Sequence, residues 1–158
     1  MQARIATAGD AETLTALINA AFVVEQFFIY GDRVNVQMVR EFLTKGTFLI
    51  GDDASGVVGC VYTELRGNRG YLGLLSVDPA RQKGGFGRLL VEAAEAYCRE
   101  RGCIAMDLRV VNLRQELPAF YRRLGYVDNG TEEFPAGELT KLPCHFLKMT
   151  KSLTDHTS

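Results

Sequence analysis

The sequence predicts an α+β domain built around one mixed, mostly antiparallel sheet of about seven strands flanked by about four helices. Two segments with helical spacing of apolar residues lie near the N-terminus, and three β-rich runs joined by short turns follow them. The second half of the chain alternates helix and strand signals and ends in two strand signals. The predicted order of elements is therefore β-α-α-β-β-β-α-β-α-β-β.

The length and the continuity of the chain predict a single domain. The 158 residues are enough to bury about two-thirds of the surface that the unfolded chain exposes. No repeat, low-complexity stretch or linker rich in Pro, Gly and Ser divides the sequence. We therefore expect one domain over residues 1–151 and a frayed C-terminal tail over residues 152–158.

The first third of the chain predicts one strand and two helices. Residues 4–6 form a short β-rich run, and Asp10 is placed to cap the helix that follows. We expect that helix to end in the aromatic segment at residues 25–32, and a second helix over residues 34–44 to end before Gly46. The apolar positions with helical spacing in the first helix are Leu14, Leu17, Ile18, Ala21 and Phe22.

Three consecutive strands are predicted next, at residues 47–53, 57–65 and 71–77. The segments between them, Asp-Asp-Ala-Ser-Gly and Arg-Gly-Asn-Arg-Gly, have the composition of tight turns. Because short turns join antiparallel neighbours, these three strands should be antiparallel to one another.

The central helix is the strongest helix signal in the chain and covers residues 85–101. Its apolar residues recur every three or four positions, and Gly102 follows at the position of a C-cap. The residues of this stripe are Phe86, Leu90, Ala93 and Tyr97.

The remaining elements alternate before the chain closes with two strands. A buried strand is predicted at residues 103–111, and a helix that Pro118 opens ends at Gly125. The last two strand candidates lie at residues 126–133 and 144–150.

Charge and composition argue against partners that bind through bulk electrostatics. The formal net charge is -1, and no run of like charges suggests nucleic acid or a membrane surface as a partner. The N-terminus lacks the basic and apolar regions of a signal peptide, and no apolar stretch is long enough to span a bilayer. We therefore expect a cytoplasmic protein.

The cysteines and histidines predict no metal site. No pair of the four cysteines has the CxxC spacing of a zinc site or redox motif, so we expect reduced, mostly buried thiols. His145 lies in a predicted strand and His156 in the tail, which suggests neither a metal site nor a catalytic triad. The cysteines are Cys60, Cys98, Cys103 and Cys144.

The segment most informative about chemistry is a glycine-rich turn between a predicted strand and the central helix. Gly84, Gly85 and Gly87 lack the Cβ atoms that would keep a bulky anion away from the backbone. The amides of residues 83–88 lie where a helix begins, and their free N–H groups and the helix dipole favour phosphate oxygens. The same glycines also suit a turn that merely satisfies geometry. Neither the GK[ST] of a P-loop nor the GxGxxG of a dinucleotide fold is present.

Several motifs, in the right order, resemble the GNAT superfamily of N-acetyltransferases. The run QKGGFG at residues 82–87, preceded by Val77-Asp78-Pro79, is similar to the acyl-CoA signature Q/R-x-x-G-x-G/A of that family. Asn112 and the run FYRRLGY at residues 120–126 resemble its second CoA-contacting helix and the strand after it. The resemblance covers residues 71–127. It implies a GNAT-like domain that transfers an acetyl group from acetyl-CoA to a primary amine of a small molecule or peptide.

The resemblance also implies how acetyl-CoA, the co-substrate, is held. In this family the strand before the signature and the strand after the central helix splay apart, and the pantetheine arm pairs in the gap like an added strand. The main chain of Leu75, Ser76 and Val77 would pair with the arm, and Asn112, which equally suits a turn, would reach it. The remaining implied cofactor-binding residues are Gln82, Lys83, Gly84, Gly85, Phe86, Gly87 and Arg88, with Arg81 as a further cation; no metal is implied.

Transfer to an amine needs a base and an acid. An alkyl amine is only about 0.04% neutral at pH 7, a cost of about 4.6 kcal/mol, and the departing thiolate must gain a proton. Tyr121 matches the family tyrosine whose hydroxyl faces the CoA sulfur, which implies the acid, with a packed helix tyrosine as the structural alternative. The strand at residues 71–77 lacks the glutamate of many relatives. We therefore expect Glu64 as the base, with Glu25 and Asp32 as competitors, although each also suits a solvated surface position.

Two functions of other classes fit parts of the same pattern. A CoA-binding sensor or regulatory module would keep the fold and the cofactor site without transferring an acyl group. A structural or nucleic-acid-binding domain would use the glycines for geometry alone, although the near-neutral charge argues against nucleic acid.

The variable segment at residues 25–37 and the C-terminal strands are expected to select the acceptor. The aromatic residues of that segment suit an acceptor pocket, a core or a dimer interface equally well. The acidic residues Glu25, Asp32 and Glu64 would suit a cationic amine. The family resemblance leaves a homodimer open.

Overall fold

The structure is a computed structural model that describes residues 1–135 and 140–154, with the side chain of Lys83 outside the description. Seven strands and four α-helices occur in these residues, in the predicted order. The strands are β1 (Gln2–Ile5), β2 (Thr47–Asp53), β3 (Gly56–Arg66), β4 (Arg69–Val77), β5 (Ala105–Val111), β6 (Val127–Glu133) and β7 (His145–Ser152). The helices are α1 (Ala11–Ala21), α2 (Val36–Lys45), α3 (Phe86–Glu100) and α4 (Glu116–Arg123).

The strands form one sheet in the order β1-β2-β3-β4-β5-β7-β6. Every neighbouring pair is antiparallel except β4 and β5, which run parallel because α3 crosses between them. The predicted α+β class, with one mixed and mostly antiparallel sheet, is therefore confirmed.

The helical segment at α1 begins earlier and ends earlier than predicted. A 3-10 turn at Ala8–Asp10 precedes α1, and the Asp10 carboxylate accepts a hydrogen bond from the backbone N–H of Thr7 at 2.8 Å. The Asp10 side chain therefore stabilises the 3-10 turn that begins after Thr7, and it does not cap the N-terminus of α1 as predicted. Helix α1 stops at Ala21, and a second 3-10 turn, Phe22–Glu25, leads into the aromatic segment.

The other helix boundaries follow from local chemistry. The side-chain oxygen of Asn35 accepts from the backbone N–H of Met38 at 2.8 Å, which caps α2 and explains its start at Val36. Helix α4 begins at Glu116, two residues before the predicted Pro118. Proline is tolerated there because an N–H in the first turn has no partner within the helix.

The buried face of α3 is rotated by about one residue from the predicted stripe. Leu90 is buried as predicted, whereas Phe86, Ala93 and Tyr97 lie half-buried at the edge of the face. The face that packs on the sheet consists of Leu90, Val91, Ala94 and Cys98.

The core has two layers, one on each side of the sheet. In β2, Phe48 and Ile50 pack in the layer of α1 and α2, and Leu49 between them packs in the layer of α3. Val61 of β3 and Tyr121 of α4 also belong to the α3 layer. The alternation of side chains along each strand therefore assigns α3 and α4 to the face opposite α1 and α2.

Strands β4 and β5 pair only at one end. Their ladder runs from the pair Arg69 and Ala105 to the pair Tyr71 and Asp107. The Arg69 guanidinium donates to both oxygens of Asp107 at 2.7 and 2.8 Å, and the Thr150 hydroxyl donates to the same carboxylate at 2.8 Å. We call these three side chains the Asp107 clamp. Beyond the clamp no ladder joins β4 to β5, so the sheet is open there.

The sheet continues past the predicted domain boundary. Strand β7 ends at Ser152, and Leu153 is 2% exposed, with its N–H bonded to the carbonyl of Ile104 at 2.8 Å. The expected boundary at residue 151 therefore falls inside β7. Residues 155–158 of the expected tail, with His156, lie outside the described residues.

Candidate active site

The opening between β4 and β5 leads into a cleft of about 610 Å³. At one end the cleft is lined by Gly85, Gly87 and Arg88, which we call the glycine end. At the other it is lined by Glu25 and Arg33, which we call the Glu25 end. The fold thus brings the predicted phosphate turn and the candidate carboxylates into one cavity.

A β-bulge shapes the wall that β4 contributes to the cleft. Cys60 of β3 faces Ser76 and Tyr62 faces Gly73, so β4 has one more residue than β3 between these pairs. The extra residue is accommodated at Leu74, whose φ of 51° is unusual for a residue with a side chain. Beyond the clamp, the edge of β4 that faces away from β3 has no strand beside it. Its main-chain groups are therefore free to pair with an extended ligand.

The glycine end is the start of a helix. Gly85 has a φ of 74°, and a Cβ placed on it would meet no atom within 4 Å. The Leu89 N–H donates to the carbonyl of Gly85, the N-cap residue of α3, at 3.3 Å. The amides of Phe86, Gly87 and Arg88 therefore have no partner within the helix, and they can hold phosphate oxygens.

The predicted cofactor residues separate into two groups in the structure. Those that line the cleft are Leu75, Val77, Gln82, Gly85, Gly87 and Arg88. Ser76 is buried, and its hydroxyl donates to the Leu74 carbonyl at 2.9 Å. The side-chain oxygen of Asn112 accepts from the backbone N–H of His145 at 2.9 Å, which ties it to the start of β7.

Two other predicted phosphate contacts, Gly84 and Arg81, lie outside the cleft lining. Gly84 lies in the 3-10 turn Pro79–Gly84, where a Cβ would meet the Phe86 ring at 2.5 Å. Arg81 forms an ion pair with Asp53, so its guanidinium already has an anionic partner. The backbone of Lys83 lies in the same turn, and its side chain is outside the description.

Tyr121 lines the cleft from α4. It is 4% exposed, and its ring packs edge-on against Phe120 and Tyr126 at centroid distances of 5.0 and 5.6 Å. Burial raises the pKa of its hydroxyl well above the ordinary value, with nearby Tyr71 acting in the same direction. The phenol therefore keeps its proton at neutral pH, as a general acid must.

Glu64 and Glu25 line the same cleft in different environments. The Glu64 carboxylate accepts from the Tyr62 hydroxyl at 2.7 Å and from Arg66 at 2.8 Å. Burial raises its pKa, but these two donors outweigh burial and lower the pKa overall. Glu25 forms an ion pair with Arg114 at 2.8 Å, yet burial dominates and raises its pKa. Glu64 is the more accessible of the two, with 22% side-chain exposure against 7%.

The third candidate base is not in the cleft. Asp32 is exposed and does not contribute to the lining. The cleft instead contains arginines that the sequence motifs did not indicate, among them Arg33, Arg66 and Arg114. Arg114 bonds to Glu25 across 89 positions of sequence, so no local pattern could have revealed that pair.

Other kinds of site have little support in the described residues. Residues 1–135 and 140–154 contain no group of three or more His, Cys, Asp and Glu that could hold a metal ion. None of the four cysteines, all of which lie in the described residues, forms a disulfide, and burial raises the thiol pKa of Cys60 and of Cys98 to about 12. None of the helices in this part of the chain is long and apolar enough to cross a membrane.

The sheet thus opens between two parallel strands onto one cleft, which a glycine-capped helix start and a buried tyrosine both line. Residues 14–126 match the sequence profile of the acetyltransferase (GNAT) family, and the chain belongs to that family. The family predicted from the motifs is therefore confirmed.

Individual relatives and structures agree with this assignment. The mycothiol acetyltransferase of Propionibacterium freudenreichii is 30% identical over 124 residues, which cover 74% of this chain and 40% of that protein. The chain thus spans less than half the length of this relative.

Two solved structures show the same fold. The ribosomal-protein-alanine N-acetyltransferase from Brucella melitensis superposes with a TM-score of 0.77 at 21% identity, covering 96% of this chain and 99% of its own. A putative acetyltransferase from Salmonella typhimurium, solved with its cofactor acetyl-CoA, has a TM-score of 0.76 at 19% identity, covering 100% and 96%.

Proposed function

We propose that the chain is an acetyl-CoA-dependent N-acetyltransferase that moves an acetyl group to a primary amine by direct attack in a ternary complex. The observation that carries the proposal is the single cleft that joins a helix start at Gly85, an unpaired edge of β4 and the phenol of Tyr121. Family membership and the acetyl-CoA-bound Salmonella structure support the same reaction.

The residues present fit CoA at three points. The amides of Phe86, Gly87 and Arg88 would hold the diphosphate, and the open space beside Gly85 leaves room for it. The free edge of β4 at Leu75 and Val77 would pair with the amides of the pantetheine arm. The thioester would then lie toward Tyr121.

The chemistry requires one bond to form and one to break. The neutral amine attacks the thioester carbonyl, so that a C–N bond forms and a tetrahedral oxyanion appears, which backbone donors would stabilise. The C–S bond then breaks, and the thiolate takes the proton of the Tyr121 hydroxyl. The proton lost by the amine goes to a carboxylate in the cleft, directly or through water.

Glu64 is the proposed proton acceptor. Its lowered pKa keeps it ionised at neutral pH, and its side chain is more accessible than that of Glu25. Glu25 competes for the role because its raised pKa makes it the stronger base. Both carboxylates form an ion pair, Glu64 with Arg66 and Glu25 with Arg114, so the greater accessibility of Glu64 decides between them.

The cysteines bear on the cellular location of the reaction, and the phenol of Tyr121 bears on the non-enzymatic alternative. We place the reaction in the cytoplasm, where cysteines that form no disulfide, such as the buried Cys60 and Cys98, persist as thiols. A CoA-binding sensor would use the same glycine end, but it has no need of a protonated phenol in the cleft. We leave the homodimer as an expectation of the family.

Calorimetry with acetyl-CoA and a thiol-release assay with a mixed amine panel test the proposal. We expect saturable acetyl-CoA binding and release of free CoA that depends on the amine. Binding without release would identify a sensor, and absence of binding at millimolar acetyl-CoA would reject the proposal altogether.

A further inference from the structure

Several arginines that line the cleft already have acidic partners. Arg66 bonds to Glu64 at 2.8 Å, and Arg114 bonds to Glu25 at 2.8 Å and to Glu116 at 3.0 Å. These pairs mean that the carboxylates of the cleft are largely neutralised by the chain itself. The expectation that they would attract a strongly cationic acceptor is weakened accordingly.

Arg33 is different from these arginines. It lines the cleft and is half-buried, and no carboxylate lies within 4.0 Å of it in residues 1–135 and 140–154. Its guanidinium carbon lies 5.7 Å from the centroid of the Phe22 ring, a contact that leaves the N–H groups free. It also acts on Glu25 to lower the pKa of that carboxyl, so a cationic and an anionic group face the same space.

We propose that the amine acceptor of this transferase carries a carboxylate, and that Arg33 binds it. The inference rests on the proposed acetyl transfer and names the substrate class of the same site. The planar fork of a guanidinium matches the two oxygens of a carboxylate, which makes such pairs stronger than neutral hydrogen bonds. The ammonium group of the same molecule would be directed toward Glu64 or Glu25.

The apolar lining specifies the rest of the acceptor. Phe22 and Phe42 line the cleft together with Tyr62, so the space between the charged groups is aromatic. A polyamine would place a second ammonium group against Arg33 or against this apolar wall. A zwitterion with an apolar body satisfies both charges and the wall.

Acceptor pairs test the substrate class directly. Apolar α-amino acids, ω-amino acids and dipeptides are each compared with the corresponding carboxamide, and spermidine serves as the polycation, with CoA release as the readout. We expect at least one acid to exceed its amide by about tenfold or more in kcat/KM, because a charge-assisted pair is lost in the amide. The amine of the carboxamide is less basic than that of the acid, so a larger fraction of it is neutral at a given pH. This difference alone would favour the amide, which is the opposite of the preference we expect.

The variant Arg33→Gln tests the residue, with Arg40→Gln as the matched control. Arg40 is an exposed arginine of α2 outside the cleft lining. We expect Arg33→Gln to lower kcat/KM for the acid by about tenfold to hundredfold, to spare the amide and to leave acetyl-CoA affinity unchanged. Arg40→Gln should match the wild type in kcat/KM for the acid, in kcat/KM for the amide and in affinity for acetyl-CoA.

The outcomes separate this inference from the proposed function. Amine-dependent CoA release that favours amides or spermidine would overturn the inference and leave acetyl transfer intact, as would equal losses for acid and amide in Arg33→Gln. Acetyl-CoA binding with no release for any amine would overturn both.

Discussion

Tyr121 combines burial with access to the cleft, and its hydroxyl makes no hydrogen bond to another described residue. The raised pKa keeps the phenol protonated at neutral pH, so its proton is still in place when the C–S bond breaks. We therefore expect Tyr121→Phe to lower turnover by at least about tenfold with little change in acetyl-CoA affinity. Steady-state kinetics and calorimetry on the same preparation check both quantities.

Tyr97→Phe is the control for that substitution. The Tyr97 hydroxyl bonds to Thr47 at 2.9 Å and does not line the cleft, so its loss should leave turnover near the wild-type value. Unchanged turnover in Tyr121→Phe would remove Tyr121 from the mechanism.

The two carboxylates predict different pH profiles. A base must be ionised, so kcat/KM falls as the pH drops through the pKa of the base in the free enzyme. With Glu64 as the base this fall lies below the ordinary glutamate value of about 4.3, whereas with Glu25 it lies above that value.

Glu64→Gln should lower the rate at neutral pH and alter this profile, measured as kcat/KM against pH. Glu41→Gln, on the exposed side of α2, is the matched control and should do neither. A rate and profile that survive Glu64→Gln would exclude Glu64, and loss of both in Glu25→Gln alone would assign the role to Glu25.

At the scale of elements, the start of α3 depends on one backbone conformation. Gly85→Ala places a methyl group at a φ of 74°, which costs about 1 kcal/mol of strain, and directs it into the space proposed for the diphosphate. We expect acetyl-CoA affinity, measured by calorimetry, to fall by about tenfold.

Gly102→Ala separates strain from binding. Gly102 has a φ of 89°, also with nothing within 4 Å of a Cβ, but it lies at the far end of α3. The Gly102→Ala variant should lose about as much stability as Gly85→Ala and keep the wild-type affinity for acetyl-CoA. Equal affinity in the two variants would mean that the Gly85 turn does not hold the ligand.

The Asp107 clamp keeps the paired end of β4 and β5 closed while the other end stays open. Hydrogen bonds from Arg69 lower the pKa of Asp107 despite its burial, with Thr150 acting in the same direction. We expect Asp107→Asn to cost about 1 kcal/mol, since the pair is partly exposed, and to lower Tm by about 2–4 °C.

The sign of the pH dependence follows from the lowered pKa. The stabilisation is fully present above the unfolded pKa of about 3.9 and is lost as the pH falls through the lower folded value. The Tm difference between wild type and Asp107→Asn should therefore shrink in acid. A difference that stays constant from neutral pH to pH ~2 would contradict an electrostatic clamp.

At the scale of the whole molecule, the cleft opens the sheet between β4 and β5, and elements of both core layers lie beside it. Helices α1 and α2 cover one face and α3 and α4 the other, and the contact between Glu25 and Arg114 crosses the opening. A ligand that fills the opening contacts elements from both layers. Binding should therefore stabilise the fold as a unit.

A thermal unfolding experiment measures this effect. Acetyl-CoA at about 100 times its Kd adds about 2.7 kcal/mol to the free energy of unfolding, which raises Tm by about 5–10 °C for a chain of this size. ADP, which has a diphosphate and no pantetheine arm, should produce a smaller shift at equal concentration. Equal shifts for ADP and acetyl-CoA would mean that the β4 edge contributes no binding.

Local chemistry determined the order of elements, the turn at Gly85 and the place of Tyr121 in its motif. Turn residues, helix spacing and helix ends act within a few positions, so a single sequence reveals them. The sequence also indicated the GNAT family, because several motifs occur in one order.

Only the tertiary structure decided which side chains meet in the cleft. The strand register and the bulge at Leu74 bury Ser76 instead of placing it in the cleft lining, and the start of β7 takes up the side chain of Asn112. The fold also brings Arg114 to Glu25 across 89 positions of sequence. A shift of one residue in register reverses the face of every side chain on a strand, and long-range packing sets that register. No local pattern in the sequence encodes it.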